Sequence, residues 1–154
     1  MRTPRVFVSL IVCLVLATSG WSQEKKIQRS DLPPAVEKTV AAQSQGATVR
    51  GFSQEKENGQ TYFEAEMMVN GHSKDVLIDP TGAVVEVEEQ VQLDSLPAAV
   101  KEGLQAKAGK GTLTKVESIT KHDKLVAYEA KVQGGGKKSE VQVGPDGKAL
   151  DHEE

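Results

Sequence analysis

Cysteine is almost absent from this sequence, and aromatic residues are few; each shortage closes off a class of function. The single cysteine, Cys13, lies in an apolar stretch near the start of the chain. That stretch reads as a secretory leader. Arg2 and Arg5 form a basic end, Val6 to Ala17 an apolar run broken only by Ser9, and Ala17, Thr18, Ser19 and Gly20 the small residues that a signal peptidase needs. About a dozen apolar residues are too few to cross a bilayer roughly 30 Å thick. A cleaved leader over residues 1–22 is therefore expected, with the cut between Ser19 and Gln23, and no stable membrane anchor afterwards. Cys13 follows Val12 and precedes more apolar sequence, a position inside the run that excludes lipidation. Without the leader the chain has no disulfide, no thiolate metal ligand and no cysteine nucleophile. Ordinary burial must hold the exported protein together, unlike the disulfide-stapled domains common outside the cell.

Basic residues are also in the minority. Removing Arg2 and Arg5 from the 19 Lys and Arg leaves 17 against 22 Asp and Glu, a formal charge of −5. That balance argues against nucleic acid or an anionic membrane as partner. With aromatics at 4% of the chain, a base-stacking surface is excluded as well.

What is present is a repeat. Leu32-Pro33-Pro34-Ala35-Val36 returns as Leu96-Pro97-Ala98-Ala99-Val100, and Phe63-Glu64-Ala65-Glu66 as Tyr128-Glu129-Ala130-Lys131. Pro80-Thr81-Gly82 returns as Pro145-Asp146-Gly147, and Glu88-Glu89 as Glu153-Glu154. The helical parts are offset by 64 residues and everything from Gly46 onward by 65, which puts a one-residue insertion between them. The division that follows is a short polar linker over 23–30, a first module over 31–91 and a second over 92–154.

Both copies share one grammar. Asp31 and Ser95 are suitable N-caps, and a proline follows in the first turn, where its missing N–H costs nothing. Leu32, Val36 and Val40, and likewise Leu96, Val100 and Leu104, make one apolar stripe of an amphipathic helix. Gly46 and Gly111 are the expected stops. Strands follow, separated by Asn58-Gly59, Asn70-Gly71 and Asp79-Pro80-Thr81-Gly82 in the first copy. Their counterparts are Asp123-Lys124, Gly135-Gly136 and Gly144-Pro145-Asp146-Gly147. The fold class is α+β: two tandem modules, each one helix packed on one face of a four-stranded antiparallel meander sheet. Alternation assigns Phe63, Ala65, Met67, Val69, Val76, Ile78, Val85 and Val87 to the buried face. Tyr128, Ala130, Val132, Val141, Val143 and Leu150 are their counterparts. A module of about 60 residues is marginal alone, so the copies should pack together or continue one sheet into the next.

Thr61-Tyr62-Phe63-Glu64-Ala65-Glu66, Asn70-Gly71 and the run from Asp75 to Val85 together resemble a PepSY-like domain. The second copy is similar through Tyr128-Glu129-Ala130-Lys131 and Val141 to Gly147, with Gly144 where the family has an aspartate before the turn. Tandem versions are similar in architecture to the proteinaceous β-lactamase inhibitors. The resemblance implies a periplasmic or secreted protein that binds or inhibits, and it carries over no catalytic residue.

The chemistry-bearing residues agree with a non-enzyme. His72, His122 and His152 have Lys137, Glu57 and Val87 as repeat counterparts, so no histidine recurs. They read as solvated loop residues, and His152-Glu153-Glu154 as a charged tail. No nucleophile elbow, H-E-x-x-H, P-loop or dinucleotide fingerprint is present, no cofactor is expected, and no metal site is assigned. The informative surface is the sheet face opposite the helices. Tyr62, Glu64, Glu66, Met68, Asp75, Leu77, Val84, Glu86 and Glu88 fall there, with Glu129 and Lys131 from the second copy. Its acids would select a protein or peptide partner with a basic surface in the cell envelope, while its apolar residues supply area. Exposed strand carboxylates should keep ordinary pKa values, which leaves two-carboxylate hydrolysis without support. A low-affinity calcium binder is the alternative from another class.

Overall fold

Three tight turns set the strand order. Residues at positive φ occupy both central positions of the turns at Asn70-Gly71, His122-Asp123 and Gly135-Gly136. Turns of that hand match the twist of the strands they join and return each strand beside its predecessor. The computed structural model describes residues 24–57, 59–152 and 154. The expected leader, Asn58 of the first hairpin turn and Glu153 lie outside the described residues.

The chain forms one eight-stranded antiparallel sheet in which every strand neighbours the next in sequence. The strands are β1 (Lys25–Ile27), β2 (Thr48–Glu57), β3 (Gln60–Val69), β4 (His72–Ile78), β5 (Val84–Val91), β6 (Thr112–Lys121), β7 (Lys124–Gly134) and β8 (Lys137–Val143). Helix α1 (Pro34–Gln43) lies between β1 and β2, and α2 (Ala98–Ala108) between β5 and β6. Among the described residues no helix is long and apolar enough to cross a membrane.

Several expectations are corrected. The stretch 23–30 is not a linker: it carries β1, which pairs with β2 and brings Ile27 against Phe52. The two copies share one sheet through β5 and β6. Among the described residues the second copy contributes three strands rather than four, 148–152 forming no strand beside β8. The equivalent β5 is held from both sides, by β4 and by β6. Asp31 and Ser95 do not cap the helices. They close short 3-10 turns, the Asp31 carboxylate accepting the Gln28 N–H at 2.9 Å and the Ser95 hydroxyl donating to the Gln92 carbonyl at 2.7 Å. The helix C-caps are Ser44 and Gly109 rather than Gly46 and Gly111.

The inserted residue also sits elsewhere. Gln60↔Glu57 and Lys124↔Lys121 close the equivalent hairpins at an offset of 64, and the later pairs Phe63↔Gln54 and Tyr128↔Ser118 bring β7 to an offset of 65. The extra residue is absorbed between them, where Leu125 pairs with Thr120 but Ala127 with Ile119, leaving Val126 as a β-bulge. The second-copy turn is consequently His122-Asp123, and His122 corresponds to Asn58. A second bulge reverses two valines: Ile78 pairs with Val84 and Leu77 with Glu86, so Val84 reaches the core and Val85 does not.

Both helices cover the same face. Val36 and Val40 are fully buried with Phe63, Ala65, Met67, Val76 and Ile78; Val100 and Leu104 with Val116, Ala130 and Val143. Val87 packs on the first cluster and Val91, four residues along the same strand, on the second. Each helix is pinned by a glycine turn. A Cβ on Gly82 would stand 2.7 Å from the Ala35 carbonyl oxygen, and one on Gly147 would collide with the equivalent Ala99 carbonyl. Both glycines hold φ near +80 to +90° (89° and 80°), so backbone conformation and close approach demand the same residue. The Thr39 hydroxyl donates to the Gly82 carbonyl at 2.6 Å.

Candidate functional site

With both helices on one side, the other face of the sheet is left uncovered. Register assembles it strand by strand. Glu64 pairs with Leu77 and Glu66 with Asp75; Leu77 pairs with Glu86 and Asp75 with Glu88; Glu88 pairs with Ile119; Glu117 pairs with Glu129. Tyr62, Met68 and Lys131 complete the set, so ten of the eleven residues expected on this face are there. Val84 is the exception, turned to the core by the bulge.

This face is not flatly wet. Ser53, Glu117, Ile119, Ala127 and Gln142 all lie on it, and all are buried, Ala127 at 0% exposed and Glu117 at 2%. Bulges in the β2–β3, β4–β5 and β6–β7 pairings bend the strands. A cleft of about 260 Å³ is lined by Glu55, Glu64, Asp75, Leu77, Glu86 and Glu88, with Glu57, Lys121 and Glu154 around it.

Desolvation changes the carboxyls. Burial pushes the Glu88 carboxyl up to about 8, with the charges of Glu86, Glu117, Glu129 and Asp75 acting in the same direction. Burial raises Glu64 to about 7, against the opposing hydrogen bond from the Ser53 hydroxyl at 2.9 Å. Asp75 and Glu129 are also raised, chiefly by burial. The expectation of ordinary carboxylates fails because this side of the sheet is partly enclosed.

The two repeats treat this face differently. Glu66 and Asp75, paired across β3 and β4, correspond to Lys131 and Glu140, which form an ion pair at 3.5 Å. Ser53 and Glu64 correspond to Glu117 and Glu129. Glu117 is neutralised from its own strand by the Lys115 ammonium at 2.6 Å and accepts a 3.3 Å hydrogen bond from the Ser73 hydroxyl. The Gln142 amide donates to the Glu129 carboxylate at 2.9 Å. Negative charge therefore gathers over β3–β5, while the second repeat answers its acids with lysines and an amide.

Sequence reasoning missed Glu117, Ile119 and Lys121, the β6 residues that complete the face. Their alternation with Val116, Ser118 and Thr120 is visible in the sequence. Their place beside Asp75 and Glu88 is not, since it depends on β5 pairing with β6. Asp75, Glu88 and Glu117 can bring one carboxylate oxygen each within 4.8 Å of one another, a possible cation set. His122 reaches the upper rim near Tyr62, Leu77 and Glu86. His72 lies on the helix side of β4, paired with Val69.

No family model matches the chain, and no curated protein matches its sequence. Solved structures do match. A protein of Bacteroides eggerthii, named as a candidate periplasmic protein, superposes with a TM-score of 0.62 at 20% identity, over 77% of this chain and 86% of that one. A BLIP-like protein of Bacteroides fragilis gives 0.55 at 18% identity, over 75% and 81%. A DUF2874 family protein of Bacteroides ovatus gives 0.59 at 21% identity, over 78% and 85%. At such identities the likeness extends to the α+β architecture, one open antiparallel sheet with two helices, and to nothing finer.

Proposed function

We propose that this chain is an exported, tandem PepSY-like binding module of the cell envelope. It acts by stoichiometric association, inhibiting or escorting an envelope enzyme through the uncovered sheet face. The observation that carries this reading is the unequal treatment of that face. Half-buried acids gather over β3–β5, while in the second repeat Lys131 pairs with Glu140 and the Gln142 amide donates to Glu129. Acids that outnumber the cations beside them serve a fold poorly; they serve recognition of a cationic partner well. Leu77, Met68 and Tyr62 add apolar area among the acids, as interface centres require. The structural neighbours agree with the compartment, one by its periplasmic name, and with the architecture, another by its BLIP-like name.

Affinity capture from envelope extract tests the reading, with the wild type set beside a variant carrying Glu64, Glu66, Glu86 and Glu88 changed to Lys. Proteins held by the wild type and lost by the variant are the expected result. Recovery of the same proteins by both would remove the face as the recognition surface.

The proximity of Asp75, Glu88 and Glu117 supports a second reading, weak divalent-cation binding. Hard oxygen ligands in such a cluster suit calcium. Against it, the Lys115 ammonium already occupies Glu117. Calorimetry with calcium decides: absence of heat at millimolar metal ends it.

A further inference from the structure

Among the described residues, no strand pairs with β8 on the side away from β7. Its first-repeat equivalent, β4, has β5 on that side, where Glu89 meets Lys74 at 3.2 Å. Two hydrogen bonds show which way the main chain of β8 points. The Thr114 hydroxyl on β6 donates to the Lys131 carbonyl at 3.1 Å, so Lys131 turns its main-chain groups toward β6 and away from Glu140, its neighbour on β8. By the alternation of an antiparallel ladder, Lys138, Glu140 and Gln142 then direct their N–H and C=O outward. The Gln142 carbonyl agrees, accepting the Lys107 ammonium of α2 at 2.9 Å. Lys107 covers the edge at that point, and the stretch from Lys137 to Glu140 is exposed.

We infer that β8 pairs antiparallel with β8 of a second copy of this chain, about a twofold axis at Ser139. Charge and hydrogen-bond direction select that register together. Lys138 lies opposite Glu140 of the second copy, and Glu140 opposite its Lys138. All four residues point their main-chain groups outward, so each pair exchanges two backbone hydrogen bonds and sets opposite charges side by side. Moving the axis one residue either way would set Lys138 against Lys138, or Glu140 against Glu140. Lysine on an edge strand ordinarily keeps a second strand away; Glu140, two residues along, turns that repulsion into a match. Gln142, with Lys107 on its carbonyl, faces Gly136 of the second copy, a turn residue beyond the end of the strand, so α2 stays where it is. The axis stands perpendicular to the sheet, because it reverses the strand and keeps its faces. Both uncovered faces therefore look the same way, and the helices of both copies lie on the other side.

So short a strand contact makes a weak dimer, and sedimentation equilibrium on the purified protein at up to about 1 mM reads it. The wild type should show a monomer–dimer equilibrium. Lys138→Glu alone and Glu140→Lys alone should each weaken self-association by about tenfold or more, since either change makes both cross-strand pairs repulsive. An equimolar mixture of the two variants should associate as strongly as the wild type, because every charge again meets its opposite across the strands. Both positions are exposed, and circular dichroism checks that the variants keep the fold. A wild type that stays monomeric, single variants that associate like it, or a mixture no stronger than its components would each overturn the pairing. A monomer leaves the binding reading standing, and a failed affinity capture leaves the dimer.

Discussion

Replacing Glu88 by Gln should make the protein more stable, and only on the alkaline side. Glu88 is the carboxyl that the fold charges most reluctantly: its pKa rises from the usual 4.5 to about 8, first through burial and then through neighbouring acids. The folded state therefore keeps the proton over a range where the unfolded chain has lost it. Stability from that difference is fully present below pH 4.5 and is lost as pH rises through about 8. The whole shift corresponds to an upper bound of about 5 kcal/mol at 1.36 kcal/mol per pH unit. Because Glu88 keeps contact with solvent across the cleft, screening brings the expected effect down to about 2 kcal/mol. Gln fills the same space and cannot ionise. In thermal melts across pH 5 to pH 9, the gap between Glu88→Gln and wild type should grow with pH. For a chain of this length it should widen by roughly 4–8 °C in Tm at the alkaline end. Parallel curves would show that Glu88 is solvated like any surface acid, and the argument from enclosure would fall with it.

Lys115→Met strands the Glu117 carboxylate, whose side chain is 3% exposed, and should cost about 1–3 kcal/mol in chemical denaturation, whereas Lys115→Met with Glu117→Gln should recover most of it. Leu104→Ala opens a hole under α2 at a fully buried site and should cost roughly 2–5 kcal/mol by the same assay. Gly147→Ala forces a Cβ into the Ala99 carbonyl at positive φ, so it should destabilise more than Gly59→Ala, where φ is also positive but nothing lies within 4 Å. Once a partner is in hand, its association rate should fall steeply between low and physiological salt, as measured by stopped flow, because steering by the acidic face is screened.

The face was legible in the sequence because strand alternation is local. Tyr62, Glu64, Glu66 and Met68 share a side by the two-residue period alone, and neighbouring turns carry the same logic to Asp75, Leu77, Glu86 and Glu88. The helix stripes through Leu32–Val40 and Leu96–Leu104 were legible for the corresponding helical reason. Errors came where one residue breaks a period. The bulge at Val85 turned Val84 into the core, and the bulge at Val126 hid the true place of the insertion, which in turn misplaced the hairpin at His122-Asp123. A bulge has weak sequence marks when no glycine or proline is involved, as neither valine site shows.

The amino-acid sequence determined the duplication, the helices, the turns and the acidic side of each strand, because propensity, period and turn chemistry act over a few residues. Tertiary structure decided that the copies share one sheet through β5 and β6, that Glu117, Ile119 and Lys121 join the face, and that Glu64 and Glu88 are enclosed enough for burial to raise their carboxyls to about 7 and about 8. Pairing between strands from different repeats, and the solvent exclusion that comes with it, depend on distances that no local pattern encodes.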